Sequence, residues 1–383
     1  MKRLFLWIGC CLAAVPPVVA REGVRFDLPY SFEHDKYIVV LGTSVGPRRF
    51  IFDTGSPRTA ISESLCNELA LSPVGTMPFA DFEGHLVDVG LVRMDSLRMG
   101  DALFRAVETL VLPDSSLIFP CLKIDGIAGC DLLRRLVVRI SDADSTISFA
   151  DRIAAFGKPC GRHSCRMYLD TGCPHITADC SSGKHRLKTR VRFDTGSPGY
   201  YHYGYGEADR WLDRGFAENL RWADGFSANM GWTNRTKVER NFRAVVPRFD
   251  IAGTTIADMP MESTCGGLDL LGRKLLDWGR VVLDFPRKRF YFLPYAAGPR
   301  RAESQPLYNF TPWHVAGRLV VGQVWDEALQ GVVAPGDAIV AVDGRPWPGD
   351  VCAFLLDQQQ FDGRTCEIET ADGRRIVLVV KKL

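Results

Sequence analysis

Short apolar runs alternate with turn residues along most of the chain, which is the pattern of a mostly β protein. A run of six strands and one short helix is predicted before residue 113: strands Val24–Leu28, Tyr37–Leu41, Phe50–Phe52, Val87–Val92, Leu97–Met99 and Phe104–Leu112, and a helix at Ser62–Leu69.

The pattern is duplicated. Asp53-Thr54-Gly55-Ser56-Pro57 and Asp194-Thr195-Gly196-Ser197-Pro198 are the same five residues, and each follows a short apolar strand. Gly129 lies 76 residues after Asp53 and Gly272 lies 78 after Asp194; each precedes a Leu-Leu pair at the same offset and a strand end 20 residues on. Three landmarks in matched register predict two related lobes, residues 22–152 and 160–296.

A third block follows the duplication. The polar stretch within 297–305 predicts a linker, and residues 306–383 predict a small αβ domain. Its predicted elements are a strand at Leu319–Val324, a helix at Val351–Gln360 and a closing hairpin of Cys366–Thr370 with Arg375–Val380.

The length of 383 residues fits two or three domains. The formal net charge is +2, without a long basic run, so nucleic-acid binding has no electrostatic support. Residues 1–20 predict an export signal, with the basic Lys2 and Arg3 before the apolar Leu4–Val15. We therefore expect a periplasmic, cell-surface or secreted protein. A buried N-terminal helix and a lipid anchor on Cys10 are the alternatives.

Ten cysteines remain after the predicted signal. The cluster Cys160, Cys165, Cys173 and Cys180 lacks the paired spacing of structural zinc sites, so we expect local disulfides or buried thiols rather than a metal. Another Asp-Thr-Gly lies at Asp170-Thr171-Gly172, only 24 residues before Asp194. It is too close for a lobe of its own, and we interpret it as a turn.

The two identical loops predict one kind of chemistry. Two carboxylates held close together cannot both ionise, so one acts as general base and the other as general acid. We predict Asp53 and Asp194 in these roles. The neighbouring residues of each loop would support them, because glycine permits close approach and hydroxyls fix orientation: Thr54, Gly55, Ser56, Thr195, Gly196 and Ser197.

These motifs resemble the aspartic proteases, and more closely their retropepsin-like branch. The resemblance covers residues 22–296 and implies a mostly β, bilobal pepsin/retropepsin-like fold. It also implies a water held between Asp53 and Asp194, a polypeptide substrate, and no metal or organic cofactor. Covering hairpins would fall at Asp81–Leu86 and Trp222–Trp232. The aromatic insert Gly199–Trp232 predicts either a substrate wall or a packed helical decoration.

Residues Pro335–Gly344 resemble bacterial PDZ domains attached to exported proteases. That resemblance implies a peptide ligand bound by strand addition, although no carboxylate-binding loop is recognisable before Leu319. A scaffolding domain without a working groove is the alternative. For the whole chain, the sequence favours an exported aspartic endopeptidase, with a catalytically inactive peptide-binding pseudoprotease or a PDZ-based adaptor as alternatives.

Overall fold

The computed structural model describes residues 25–80, 86–157, 161–204, 212, 214–226, 238–264, 268–303, 306–356 and 365–382. The predicted export signal, including Cys10, lies outside the described residues. So do residues 81–85 of the first predicted covering hairpin and residues 227–232 of the second.

The described residues form mainly β-strands, and this confirms the mostly β fold. The strands are β1 Arg25–Glu33, β2 Lys36–Thr43, β3 Gly46–Phe52, β4 Ala60–Ser62, β5 Pro73–Ala80, β6 Leu86–Met99, β7 Ala102–Leu112, β8 Gly126–Ala128, β9 Val137–Ser141, β10 Thr146–Ala150, β11 Ser164–Arg166, β12 His175–Ser182, β13 His185–Asp194, β14 Tyr201–Gly204, β15 Glu218–Phe226, β16 Val238–Ile251, β17 Thr254–Thr264, β18 Leu270–Gly272, β19 Gly279–Asp284, β20 Arg289–Pro294, β21 Arg300–Arg301, β22 Pro306–Tyr308, β23 Phe310–Val315, β24 Arg318–Val324, β25 Ile339–Val342, β26 Arg345–Pro346, β27 Cys366–Thr370, β28 Arg375–Leu378 and β29 Val380–Lys382. The α-helices whose bounds fall within the described residues are α1 Glu63–Glu68, α2 Ile118–Leu122 and α3 Val351–Leu356.

Strands β1–β10, here called the first unit, fold around the first aspartate loop. β3 pairs with β8 in parallel, β8 with β4 antiparallel, and β4 with β7 in parallel. β7, β6 and β5 then continue as an antiparallel meander. Helix α1 follows β4 and begins where the Ser62 hydroxyl accepts a hydrogen bond from the backbone of Leu65, as N-cap serines do.

Strands β11–β20, here called the second unit, repeat this order. β13 pairs with β18 in parallel, β18 with β14 antiparallel, and β14 with β17 in parallel. β17, β16 and β15 again form the meander. Strands β13–β18 therefore pair in the same order and directions as β3–β8.

The two units are joined by a continuous sheet in the order β11-β20-β19-β9-β10-β1. β9 and β19 pair at its centre, where Val138 lies opposite Leu283 and Ile140 opposite Val281. These four residues are fully buried. Because a buried strand pair of this kind removes apolar surface from water on both sides, we infer that it stabilises the unit interface.

Residues 306–382, here called the C-terminal unit, contact both other units. A disulfide joins Cys352 in α3 to Cys121 in α2 of the first unit. On the other side, β24 pairs with β15 of the second unit, with Gly225 opposite Gln323. A Cβ at Gly225 would lie 2.1 Å from the carbonyl oxygen of Gly322, so this close approach of backbones needs a glycine.

The stretch predicted as a linker contains β21, which pairs in parallel with β17 of the second unit. Ala302, directly after β21, is buried. This polar stretch therefore includes a strand that is hydrogen-bonded to the edge of the second unit. Among the described residues, no helix has the length and apolar character needed to cross a membrane.

Candidate active site

The two Asp-Thr-Gly-Ser loops lie at equivalent strand ends. Phe52 and Phe193 are fully buried, and because side chains alternate along a strand, the aspartate that follows each of them points away from that core. The parallel neighbours support the loops from one side: Asp53 donates its backbone N–H to Ala128 at 3.0 Å, and Asp194 lies opposite Gly272. Ala128 and Gly272 belong to the two glycine segments that the sequence analysis found at matching distances after the aspartate loops.

The two threonines bind the loops to each other. The Thr54 hydroxyl donates to the carbonyl of Phe193 at 2.8 Å and accepts from the backbone N–H of Thr195 at 3.0 Å. The Thr195 hydroxyl donates to Phe52 at 2.9 Å and accepts from the N–H of Thr54 at 3.0 Å. Both threonines are 0% exposed. Four buried hydrogen bonds related by pseudo-twofold symmetry therefore fix one loop against the other.

Each aspartate is held by its own loop. Asp53 Oδ1 accepts from the backbone N–H of Gly55 at 2.7 Å and of Ser56 at 3.2 Å. Asp194 Oδ1 accepts from Gly196 at 2.8 Å and from Ser197 at 3.1 Å. One oxygen of each carboxyl group is thereby oriented by backbone donors.

The glycines allow the carboxyl groups to meet. A Cβ at Gly55 would lie 2.3 Å from Cγ of Asp194, and a Cβ at Gly196 would lie 2.8 Å from Cγ of Asp53. Real Cβ atoms do not approach so closely, so the carboxyl group of each loop occupies the space that the missing side chain of the other loop leaves.

The pKa of Asp53 is raised to about 7, first by burial, then by the negative charge of Asp194 and by a hydrogen bond with its carboxyl group. The backbone N–H of Gly55 and the ammonium of Lys36 act in the opposite direction. Two carboxyl groups that share a buried space bind one proton between them over a wide pH range. This pair can therefore supply one acid and one base at the same time.

Several groups around the loops were not identified from the sequence. Lys36 on β2 donates from Nζ to the carbonyl of Gly196. On the other loop, the carbonyl of Gly55 accepts from Nη1 of Arg192 at 3.1 Å and from the thiol of Cys173 at 3.3 Å. Arg192 could have been noticed as a charged residue inside the run Val191-Arg192-Phe193, whereas Lys36 carries no local signal.

Arg273, directly after Gly272, connects the two units electrostatically. Its guanidinium lies 3.2 Å from Asp35, 3.3 Å from Asp142 and 2.8 Å from Asp277. The first two of these partners belong to the first unit. Since the guanidinium is 9% exposed, these ion pairs are screened less than surface pairs.

Asp131, next to the first downstream glycine, is another buried carboxyl group. Its pKa is raised to about 6, because burial outweighs the opposing effect of a hydrogen bond from the Thr59 hydroxyl at 2.9 Å. The Thr59 hydroxyl also accepts from the backbone of Gly129 at 3.3 Å. This group lies behind the loop and supports the glycine segment.

Other candidates from the sequence lie apart from the pair. The third Asp-Thr-Gly forms a 3₁₀ turn, and its exposed Asp170 pairs with Arg190 at 2.6 Å. In the aromatic insert, Tyr201 and Tyr203 lie on strand β14 and are buried. Tyr205, Trp211 and Trp232 of the insert lie outside the described residues, so both interpretations of the insert stay predictions.

The cysteines predicted as local disulfides or buried thiols do not form local bonds in the part of the chain that the structure describes. Cys173 and Cys180 are buried thiols, Cys165 is half-buried, and Cys160 lies outside the described residues. The disulfide that is present joins Cys121 to Cys352 instead. Within the described ranges no group of three or more His, Cys, Asp or Glu side chains is arranged to hold a metal ion.

A comparison with protein families agrees with this geometry. Residues 39–132 match the family model described as Aspartyl protease. This span contains the first aspartate loop and Gly129, and the match supports a relationship to the aspartyl proteases. No curated protein matches the chain.

Proposed function

We propose that this chain is an exported aspartic endopeptidase of the retropepsin-like type, with both lobes in one polypeptide. The observation that carries the proposal is the pair of aspartate loops, in which each carboxyl group faces the glycine of the opposite loop. The family match over residues 39–132 supports the first loop. The repeated topology extends the same reasoning to the second loop.

The reaction follows from one proton shared by two carboxyl groups. The ionised aspartate takes a proton from a water molecule while the water oxygen attacks the carbonyl carbon of the scissile peptide. The protonated aspartate gives its proton to the carbonyl oxygen, so a neutral tetrahedral diol forms. In the second step the leaving nitrogen receives a proton from the first aspartate, and the C–N bond breaks. One hydroxyl returns its proton to the second aspartate, which restores the pair.

The C-terminal unit is proposed to be PDZ-like, with a structural role toward the second unit. β24 is flanked by β23 and by β15. The side chain of Gln323 donates to the carbonyl of Phe226 at 2.9 Å, and the ring of Phe226 packs against the core of this unit. An edge strand that binds a segment of its own chain is not free to bind a partner there. This observation favours the protease over the adaptor.

The test is cleavage of a diverse peptide library from about pH 3 to 8 by the mature protein and three variants. Asp53→Asn and Asp194→Asn should each abolish cleavage, since either change removes the acid–base pair. Asp170→Asn is the matched control, because it changes the third Asp-Thr-Gly and should retain full cleavage. Absence of cleavage by the unaltered protein, with retained peptide binding, would favour the pseudoprotease.

A further inference from the structure

Lys36 lies at the base of a tight hairpin that points it toward the second aspartate loop. Glu33 and Lys36 close the hairpin between β1 and β2, and His34 and Asp35 form its two-residue turn. Both turn residues have positive φ, 49° and 59°, as the twist of a two-residue hairpin requires. The half-buried lysine then reaches from the first unit to the carbonyl of Gly196 in the second.

The pseudo-symmetric position carries no charge. Ile38 lies opposite Ile51, and His175 lies opposite Arg192, and both Ile51 and Arg192 precede their aspartate by two residues. The residue two positions before Ile38 is Lys36, and the residue two positions before His175 is Cys173. Each donates to the carbonyl of the glycine in the opposite loop. These two positions therefore make equivalent hydrogen bonds but differ in charge, and the carbonyl of Gly55 accepts in addition from the guanidinium of Arg192.

The surroundings of the ammonium are mostly acidic. Burial lowers the pKa of Lys36, while the negative charges of Asp194, then Asp53, then Asp35 raise it, and Arg273 lowers it slightly. Asp194 is thus the carboxyl group that interacts most strongly with this ammonium. Its opposite charge favours the ionised form of a neighbouring carboxyl group.

Arg192 is the other cation that contacts a loop carbonyl described above. Its guanidinium is divided among three acceptors: the carbonyl of Gly55 at 3.1 Å, a ring nitrogen of His175 at 3.3 Å and the hydroxyl of Thr171 at 3.3 Å. It contacts the first loop, whereas Lys36 contacts the second. Arg273 is occupied by Asp35, Asp142 and Asp277.

We propose that Lys36 is a positioning residue whose charge keeps the negative charge of the pair on Asp194, so that the shared proton resides on Asp53. This inference rests on the proposed function and assigns its two roles. Asp194 takes the proton from the attacking water, and Asp53 protonates the carbonyl oxygen of the substrate. In the second step Asp194 passes its proton to the leaving nitrogen, and Asp53 regains its proton from the diol.

The charge and the hydrogen bond of Lys36 can be separated by substitution. Lys36→Gln keeps a donor but removes the charge, and Lys36→Arg keeps both. Lys274→Gln is the matched control, because Lys274 is also half-buried in the second unit but lies 4.6 Å over the ring of Tyr200. The full-length mature proteins are compared by the pH profile of kcat/KM and by thermal melting.

We expect the acid limb of the profile to move up by about one pH unit in Lys36→Gln, because an opposite charge nearby shifts a carboxyl group by one to three units. Lys36→Arg should restore the limb, and Lys274→Gln should leave it in place. A loss of kcat and melting temperature in Lys36→Gln with an unmoved limb would assign Lys36 a structural role and overturn the inference.

A second measurement does not depend on cleavage. Carbon-13 labelling of aspartate carboxyl groups follows their titration by NMR, and Asp53→Asn and Asp194→Asn assign the two signals. Because the two carboxyl groups titrate as a coupled pair, each signal reports the macroscopic steps of the pair. In Lys36→Gln the lower of these two steps should move up by about one pH unit. Unchanged signals would overturn the inference even where cleavage is normal. A shifted lower step in a protein that cleaves nothing would support the charge assignment while the proposed function fails.

Discussion

The buried threonines allow the strongest quantitative prediction. Thr54→Val keeps the shape of the side chain but removes the hydroxyl that bridges the loops. The backbone N–H of Thr195 and the carbonyl of Phe193 then lose their partner. An unsatisfied buried polar group costs about 1–3 kcal/mol, so the free energy of unfolding should fall by about 2–6 kcal/mol.

The measurement is urea unfolding followed by tryptophan fluorescence. Thr195→Val should lose a similar amount, because the Thr195 hydroxyl makes the symmetric pair of bonds. Thr109→Val is the control, since Thr109 is equally buried but its hydroxyl donates to the carbonyl of Val107 in its own strand at 3.2 Å. That variant loses one local hydrogen bond, worth about 1 kcal/mol.

Activity gives a second readout of the same change. Thr54→Ser retains the hydroxyl and should keep cleavage, whereas Thr54→Val should reduce kcat because the loops lose their fixed orientation. The reasoning is refuted if Thr54→Val is no less stable than Thr109→Val. Equal stability would mean that the four hydrogen bonds between the loops do not contribute to the free energy of unfolding as argued.

Three further outcomes follow from the structure. Gly55→Ala places a Cβ 2.3 Å from the Asp194 carboxyl carbon, so cleavage should fall at least about 100-fold, as misplacement by about 1 Å does elsewhere, and peptide hydrolysis measures this. Cys352→Ser removes a disulfide with a sequence separation of 231 and should lower the free energy of unfolding by up to about 5 kcal/mol. Reductant added to the unaltered protein should lower the melting temperature in the same way, and an unchanged melting temperature would contradict this prediction. The pKa of Asp53 is raised to about 7, chiefly by burial, so the folded state binds more protons than the unfolded state from about pH 4 to 7. The free energy of unfolding should therefore fall as pH rises through this window. In urea unfolding, Asp53→Asn should flatten this pH dependence, and an unchanged pH dependence would mean that other groups cause it.

The sequence predicted the parts of the fold that depend on local pattern. The register of Gly129 and Gly272 with the aspartate loops appears as the parallel pairs β3·β8 and β13·β18. The predicted helix at Ser62–Leu69 is present as the shorter α1, since Ser62 is its N-cap. A helix cap can be predicted because its signal lies within a few residues. A repeat can be predicted because it recurs at a fixed spacing.

Contacts between distant segments were not readable in this way. Lys36 donates a hydrogen bond to a loop 160 residues away. No sequence pattern distinguishes this lysine from one on the surface. The pairing of Cys121 with Cys352 depends on how α2 and α3 meet, which cysteine spacing does not encode. Within the predicted linker, the pairing of β21 with β17 of the second unit is likewise a contact that composition does not encode.

The disulfide between α2 and α3 also determines when the molecule can be completed. During synthesis Cys121 emerges long before Cys352, because the whole of the second unit lies between them. Cys121 is 4% exposed with the C-terminal unit in place, and its partner Cys352 belongs to that unit. The first unit therefore carries Cys121 as a thiol until Cys352 has been made. The covalent bond can form only after that point, and it requires an oxidising environment.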